Sequence, residues 1–374
     1  MLNKPNDLTA SYSRRHFLVR TAFASALLIS LRKNLFGFPR QNDQSPWRGW
    51  IDYARWCPTV HNLQPHKIKI ISATEAELYY DPARLLPVED PESIFVTVAL
   101  GVFIEHLSIA ASPLGKKVII KEIAAPVKLH QTQNTLFAKL KVVAAEEKEP
   151  FNIDLIKKRR TSRLHYSGHP LQEEIIEKVK SEAAKFHHEL FYSSKKEFVD
   201  KIIQINQETL FEDISSDADR SELDHLFRYS ERQAREYKDG LWARCMCVPG
   251  AMLKSVFRHP ENWMGVKKKL LAAYYKDSFK GTATVCWFGG AFNNTGDWLN
   301  AGQMLARSWL LLTQNNAFIH PFGSLITNVN AYKKINETFT QPSEGKKIWM
   351  IFRAGYSKEP ARSFRLSTDE IVIT

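Results

Sequence analysis

Apolar positions recur at helical spacing from Trp47 to Cys57, and Pro58 ends the pattern. Between Pro58 and Pro65 the chain is polar, with Thr59, His61, Asn62 and Gln64, which predicts a loop after the helix. Alternation takes over in Lys67–Ile71 and again in Glu77–Tyr80, predicting two strands. Asp81-Pro82-Ala83-Arg84 and Asp90-Pro91 read as turns. The run from Phe95 to Pro113 is apolar on nearly every side and predicts a long helix, with Glu105 and His106 on one exposed face. Further strands are expected at Lys117–Ile123 and Phe137–Val143. Residues 171–240 are charged and helix-rich, and are expected to cover the core. Thr282–Phe288 reads as a buried strand, Thr295–Leu312 as an amphipathic helix and Lys347–Tyr356 as a strand. Strands and helices in this mixture predict an α+β chain.

Composition narrows the picture. The 374 residues are 44% hydrophobic, enough for a large core and two domains. The formal charge is +12, but residues 1–40 hold seven Lys/Arg and one acid, Asp7, so half of the excess sits there. The remainder is only mildly basic, which argues against a nucleic-acid partner. Lys157–Arg160 and Lys267–Lys269 are too short for a nucleic-acid patch. Of the four cysteines (Cys57, Cys245, Cys247, Cys286) none has C-x-x-C spacing, and no His/Cys cluster has zinc spacing, so no metal is expected. Dinucleotide, P-loop, serine-hydrolase and zincin motifs are absent from the sequence.

The start of the chain reads as a targeting segment. Ser13-Arg14-Arg15-His16-Phe17-Leu18 resembles the twin-arginine (Tat) export signal, and the apolar run Thr21–Leu31 is too short to span a bilayer. The resemblance implies the Tat translocase as a partner during export. It implies a periplasmic protein, tethered to the membrane if the signal is not cleaved. Residues 1–40 are then a signal region, 41–150 a first half and 151–374 a second half.

Two stretches carry a second resemblance. Cys57-Pro-Thr-Val-His-Asn-Leu-Gln-Pro-His66 is similar to the A-P-S-x-x-N-x-Q-P-W signature of the nitroreductase family of FMN oxidoreductases, with Pro58, Asn62, Gln64 and Pro65 matching. Arg159-Arg160-Thr161-Ser162-Arg163 is similar to that family's R-R-S-x-R phosphate motif. Several cations and a hydroxyl packed together suit a phosphate dianion. In simple family members the phosphate motif comes first; here it comes second. That order resembles the fused, Acg-like subgroup, in which two related halves on one chain imitate a dimer. The resemblance implies a nitroreductase-like fold: two halves, each a mainly antiparallel sheet flanked by helices, forming an intrachain pseudo-dimer. The second half has no N-x-Q-P loop near Gly240–Pro249, so one flavin site per chain is expected.

The resemblance also assigns roles. FMN would be held at the phosphate by Arg159, Arg160, Thr161, Arg163 and a C-terminal arginine, Arg365 or Arg362. Pro58, Thr59, His61, Asn62 and Gln64 would meet the rest of the cofactor. Pro321, Phe322, Gly323 and Ser324 would meet the ring, a backbone N–H near Gly323 facing its reactive nitrogen. Electrons would pass from NAD(P)H to a nitro-, quinone-like or other small acceptor. NAD(P)H is scarce outside the cytoplasm, so an exported enzyme implies another donor or a redox partner protein. His61 stands as the one candidate proton donor, against a structural hydrogen-bonding role. The alternative function is a flavin-sequestering protein with a covered site and little turnover.

Overall fold

A computed structural model describes residues 46–374, so the twin-arginine segment lies outside the described residues. The first half runs α1 (Pro46–Ala54), β1 (His66–Ile70), β2 (Glu75–Tyr80), α2 (Ile94–Ala111), β3 (Lys116–Ile123) and β4 (Thr135–Ala144). A short α3 (Asp154–Lys158) leads into the second, which opens with α4 (Glu173–Ala184) and β5 (Glu189–Ser193). Then come α5 (Lys196–Ser215), α6 (Asp217–Leu226), β6 (Phe227–Arg228), α7 (Glu231–Tyr237), β7 (Leu241–Trp242), α8 (Ala243–Met246), α9 (Gly250–Arg258) and α10 (Val266–Asp277). The chain closes with β8 (Thr284–Gly290), α11 (Thr295–Gln314), β9 (Phe318–Pro321), α12 (Ser324–Thr327), α13 (Val329–Thr338), β10 (Lys347–Gly355), α14 (Thr368–Ile371) and β11 (Val372–Ile373).

The α+β class is as expected, and the two halves share one winding. The sheets run β1-β2-β4-β3 and β5-β8-β10-β9, with every one of these neighbours antiparallel. Each half is therefore helix, two strands, helix, two strands. The equivalent helices α2 and α11 cross at the centre through glycines. A Cβ on Gly302 would lie 2.1 Å from the Val98 carbonyl oxygen, and one on Gly101 would lie 2.4 Å from that of Leu299. This is the geometry of a dimer interface inside one chain.

The tail joins the two halves. After β10 the chain returns to the first half, where β11 pairs in parallel with β1, Ile68 opposite Val372. A capping box between Ser367 and Glu370 starts α14 on the way.

Two expectations are corrected. Residues 171–240 are not one cover: α4 and β5 belong to the second half's core. The cover is instead an insertion, residues 194–283, in the β5–β8 hairpin, where the first half has the short turn 71–74. It docks through Val199, Ile202 and Ile203 onto Trp287 and Ile351, and holds a small core of its own around Phe227, Leu253 and Phe257. Second, Glu105 and His106 are buried. Glu105 pairs with Arg307, which also holds Glu149 and Glu182, since a buried charge persists only when paired. Burial keeps His106 neutral, with a pKa pushed down to about 3.

Candidate functional site

A cavity of about 290 Å³ gathers the stretches that the sequence singles out. Pro58–Asn62, Arg159–Thr161 with Arg163, Pro321–Gly323, and Arg362 and Arg365 all line it. Apolar α2 residues Val98, Ala99 and Val102 form its floor, and Gly240–Trp242 of the cover forms a wall.

Pro58 stops α1, and the loop beyond takes an unusual path. His61, Asn62 and Gln64 all have positive φ (46°, 62° and 55°), each at a cost of about 1–3 kcal/mol for a residue with a side chain. Neighbouring groups hold the conformation. Gln64 donates to the carbonyls of Asn62 (3.0 Å) and Lys238 (2.9 Å) and accepts from Leu366 N–H at 2.9 Å. Arg84 donates to Leu63 O at 2.8 Å while bonded to Asp239 at 2.9 Å. Gln64 is fully buried and does not line the cavity, so its expected cofactor contact is replaced by a clamp on the loop. Asn62 lines the cavity, but its amide bonds Phe364 O (3.1 Å) and Gly240 O (3.3 Å) and accepts from Arg365. It ties loop, cover and tail together.

Arg159, Arg160, Arg362 and Arg365 line the same cavity beside this loop, Arg365 reaching Asn62 directly. Arg159 donates to Trp56 O at 3.2 Å and lies over Trp309; Arg362 lies over Trp56, 3.3 Å from the ring centroid. Arg160 donates to Pro360 O at 2.7 Å and pairs with the exposed Glu359. Burial and then the charge of neighbouring arginines push Arg159 down to about 9 and Arg362 to about 10. Arg365 also falls to about 10, chiefly through burial. Several buried N–H groups have no partner among the described residues: Arg159 Nε and Nη1, Arg160 Nε, Arg362 Nη2 and Arg365 Nε. Unsatisfied buried donors on mutually repelling cations fit an anion with several acceptor oxygens, as the expected phosphate has. Both C-terminal arginines line the cavity, and each has a buried nitrogen without a partner among the described residues.

Arg163 departs from expectation. Its neighbours are Cys245, Cys247, Tyr275 and Tyr166, and it lines both this cavity and a second one. It stands where the two meet, away from the four-arginine cluster. The second cavity, about 380 Å³, lies under the cover and is mostly apolar, with Phe211, Leu223, Met252 and Phe257 among its walls. His61, Pro321, Phe322 and Gly323 border both spaces, whereas Ser324 borders only the second. Phe322 N–H donates to Ile351 O at 2.8 Å, while Gly323 N–H donates to no described residue.

Sequence reasoning passed over Glu89. Its carboxylate pairs with His61 Nε2 at the junction of the cavities. Burial opposes both charges, yet their mutual attraction outweighs it: His61 titrates above the ordinary imidazole value and Glu89 below the ordinary carboxyl value. An acid beside Asp90-Pro91 gives no periodic signal that would have exposed it. The cysteines are free thiols; burial pushes Cys57 and Cys286 up to about 12, while Cys245 borders the first cavity and Cys247 the second. Among the described residues no cluster of His, Cys, Asp and Glu could hold a metal ion.

No protein-family model and no curated protein sequence matches the chain. Solved structures similar to it include nitroreductases. The FMN-dependent nitroreductase NfnB from Mycobacterium smegmatis, in complex with NADPH, is 16% identical over 55% of this chain and 86% of its own, with a TM-score of 0.33. A nitroreductase-like family protein from Bacillus cereus is 12% identical over 60% and 96%, with a TM-score of 0.35. A nitroreductase with bound FMN from Bacteroides fragilis is 12% identical over 59% and 97%, with a TM-score of 0.34. Likeness at this level bears on no residue of the site.

Proposed function

We propose that this chain is an FMN-dependent oxidoreductase of the nitroreductase type, with one flavin site built between its two halves. The observation that carries the reading is the set of unpartnered guanidinium N–H groups on Arg159, Arg160, Arg362 and Arg365, lining one cavity together with the strained Pro58–Asn62 loop. Bound FMN would supply two-electron transfer between a donor and a small acceptor such as a quinone or nitro compound. The four arginines, with Thr161, hold its phosphate. Pro58, Thr59 and the Asn62 backbone fit its chain and ring edge, and Gly323 N–H is the main-chain donor for the ring. The cover limits water at the junction, where His61 and Glu89 stay partly exposed. The twin-arginine-like segment supports export to the periplasm through the Tat translocase, with membrane tethering if that segment is retained. There a small reductant or a redox partner protein replaces NAD(P)H as the donor.

A second reading is favoured by the cover itself: with Gly240–Trp242 walling the cavity, the chain holds FMN and turns over little. One experiment separates the two. The purified protein is incubated with FMN, desalted, and its visible spectrum recorded before and after anaerobic NADPH. Retained flavin that bleaches supports the oxidoreductase. Retained flavin that bleaches only with dithionite is then mixed anaerobically with a quinone: prompt reoxidation supports an oxidoreductase with a non-nicotinamide donor, and failure to reoxidise supports storage. Failure to retain flavin overturns both.

A further inference from the structure

We propose that His61 and Glu89 form a proton-delivering pair for an apolar ring acceptor bound in the cavity beneath the cover. The inference rests on the flavin reading above and assigns that site its acceptor seat and its proton source. Three observations carry it. The cover cavity is large enough for a bicyclic ring and is walled mainly by apolar side chains of the insertion. It shares His61, Glu89, Arg163 and Pro321–Gly323 with the lining of the arginine-lined cavity, so a ring seated there lies against the histidine that borders both spaces. Finally, the strained backbone at His61 (φ 46°) presents the imidazole with Nε2 on Glu89, while Nδ1 has no hydrogen-bond partner among the described residues.

The pairing decides which proton moves. An imidazolium donates Nε2–H to the Glu89 carboxylate and keeps Nδ1–H for the acceptor. Reduction of a quinone carbonyl needs a hydride and a proton. Bound FMN, once reduced, would supply the hydride with both electrons; the N–H bond at His61 Nδ1 breaks, and its proton goes to the acceptor oxygen. His61 is left neutral with Nε2–H still on Glu89, and regains a proton from water between turnovers. The charged groups facing the pair include Glu222 of α6, which accepts from the Val88 and Glu89 backbone N–H groups at 2.9 and 2.8 Å. Asp213 and Asp219 lie on the same cavity wall, and Arg163 opposes them. Glu89 and Glu222 favour the charged imidazole; Arg163 and burial disfavour it.

The test uses the full chain loaded with FMN, reduced with dithionite and mixed anaerobically with 1,4-naphthoquinone from about pH 5 to about pH 9. The expected oxidation rate falls as pH rises through the His61 titration. Glu89→Gln moves that fall to lower pH, and His61→Gln removes it and slows the step by about 10²–10⁴-fold. A rate without pH dependence, or one whose fall survives His61→Gln, overturns the proposal. The imidazole is also titrated by NMR in the flavin-free protein, in wild type and in Glu89→Gln. An imidazole pKa that does not drop in the variant overturns the pair even where flavin loading fails, a failure that counts against the flavin reading alone.

Discussion

Arg159 shows how a single side chain reveals a ligand. It is buried, lies over Trp309, and uses one of its nitrogens on Trp56 O, leaving Nε and Nη1 unpartnered. A residue present for stability would not be left so, because an unsatisfied buried donor costs about 1–3 kcal/mol, more when charged. Exchange for an apolar chain of similar length should therefore separate binding from stability. Arg159→Met is expected to lose FMN retention on desalting, while its unfolding free energy from urea titration, measured without flavin, stays within about 1 kcal/mol of wild type or rises. A large loss of stability would mean that Arg159 holds the two halves together and is not a ligand group. The same logic explains why Gln64 was misplaced by pattern alone. Its amide is fully satisfied by three backbone groups, so it fixes the shape of the loop and has nothing left for a cofactor.

At the scale of elements, strands and helices were legible because burial imposes period: β8 is buried at every position and α2 on nearly every face. The Pro-bounded loop and the arginine run were legible because proline and clustered cations are local signals. What periodicity cannot carry is which helix packs where. Hence α4 and the insertion helices read alike as charged and helical, although α4 packs against α11 and α5 begins the cover. Arg163 was likewise assigned by spacing, yet it lies among Cys245, Cys247 and Tyr275 of the insertion. The α2–α11 crossing makes a sharp prediction. Gly302→Ala places a methyl 2.1 Å from the Val98 carbonyl oxygen, a clash with backbone that no rotamer relieves. The expected loss is about 1–3 kcal/mol in urea denaturation. Gly49→Ala, with nothing within 4 Å of its added methyl and a helical position, should hold or gain stability. Equal effects would mean that the central helices tolerate separation.

Across the whole molecule, the tail turns two halves into one site. It leaves β10 in the second half, places Arg362 and Arg365 in the cavity, and ends as a strand on the first half's sheet. Its anchor is substantial. Ile371 is fully buried, Leu366 N–H bonds Gln64, and Glu370 accepts from Lys238. Burial works against the Glu370 carboxylate, but the bonds from Lys238 and Ser367 hold it down at about 2. A depressed carboxyl pKa stabilises fully above the unfolded value, and that contribution is lost progressively as pH falls from there toward 2, so the anchor weakens in acid and not near neutrality. Removing residues 367–374 should cost about 2–5 kcal/mol, the range for deleting a buried side chain of this size. It should also weaken FMN binding, because the two arginines keep their places in sequence but lose what positions them. Ile371→Ala tests the link without truncation: its FMN affinity, measured by fluorescence quenching, should fall together with its stability. If stability drops in both variants while the FMN dissociation constant is unchanged, the tail is a fastening between the halves, and the phosphate is held by Arg159 and Arg160 alone.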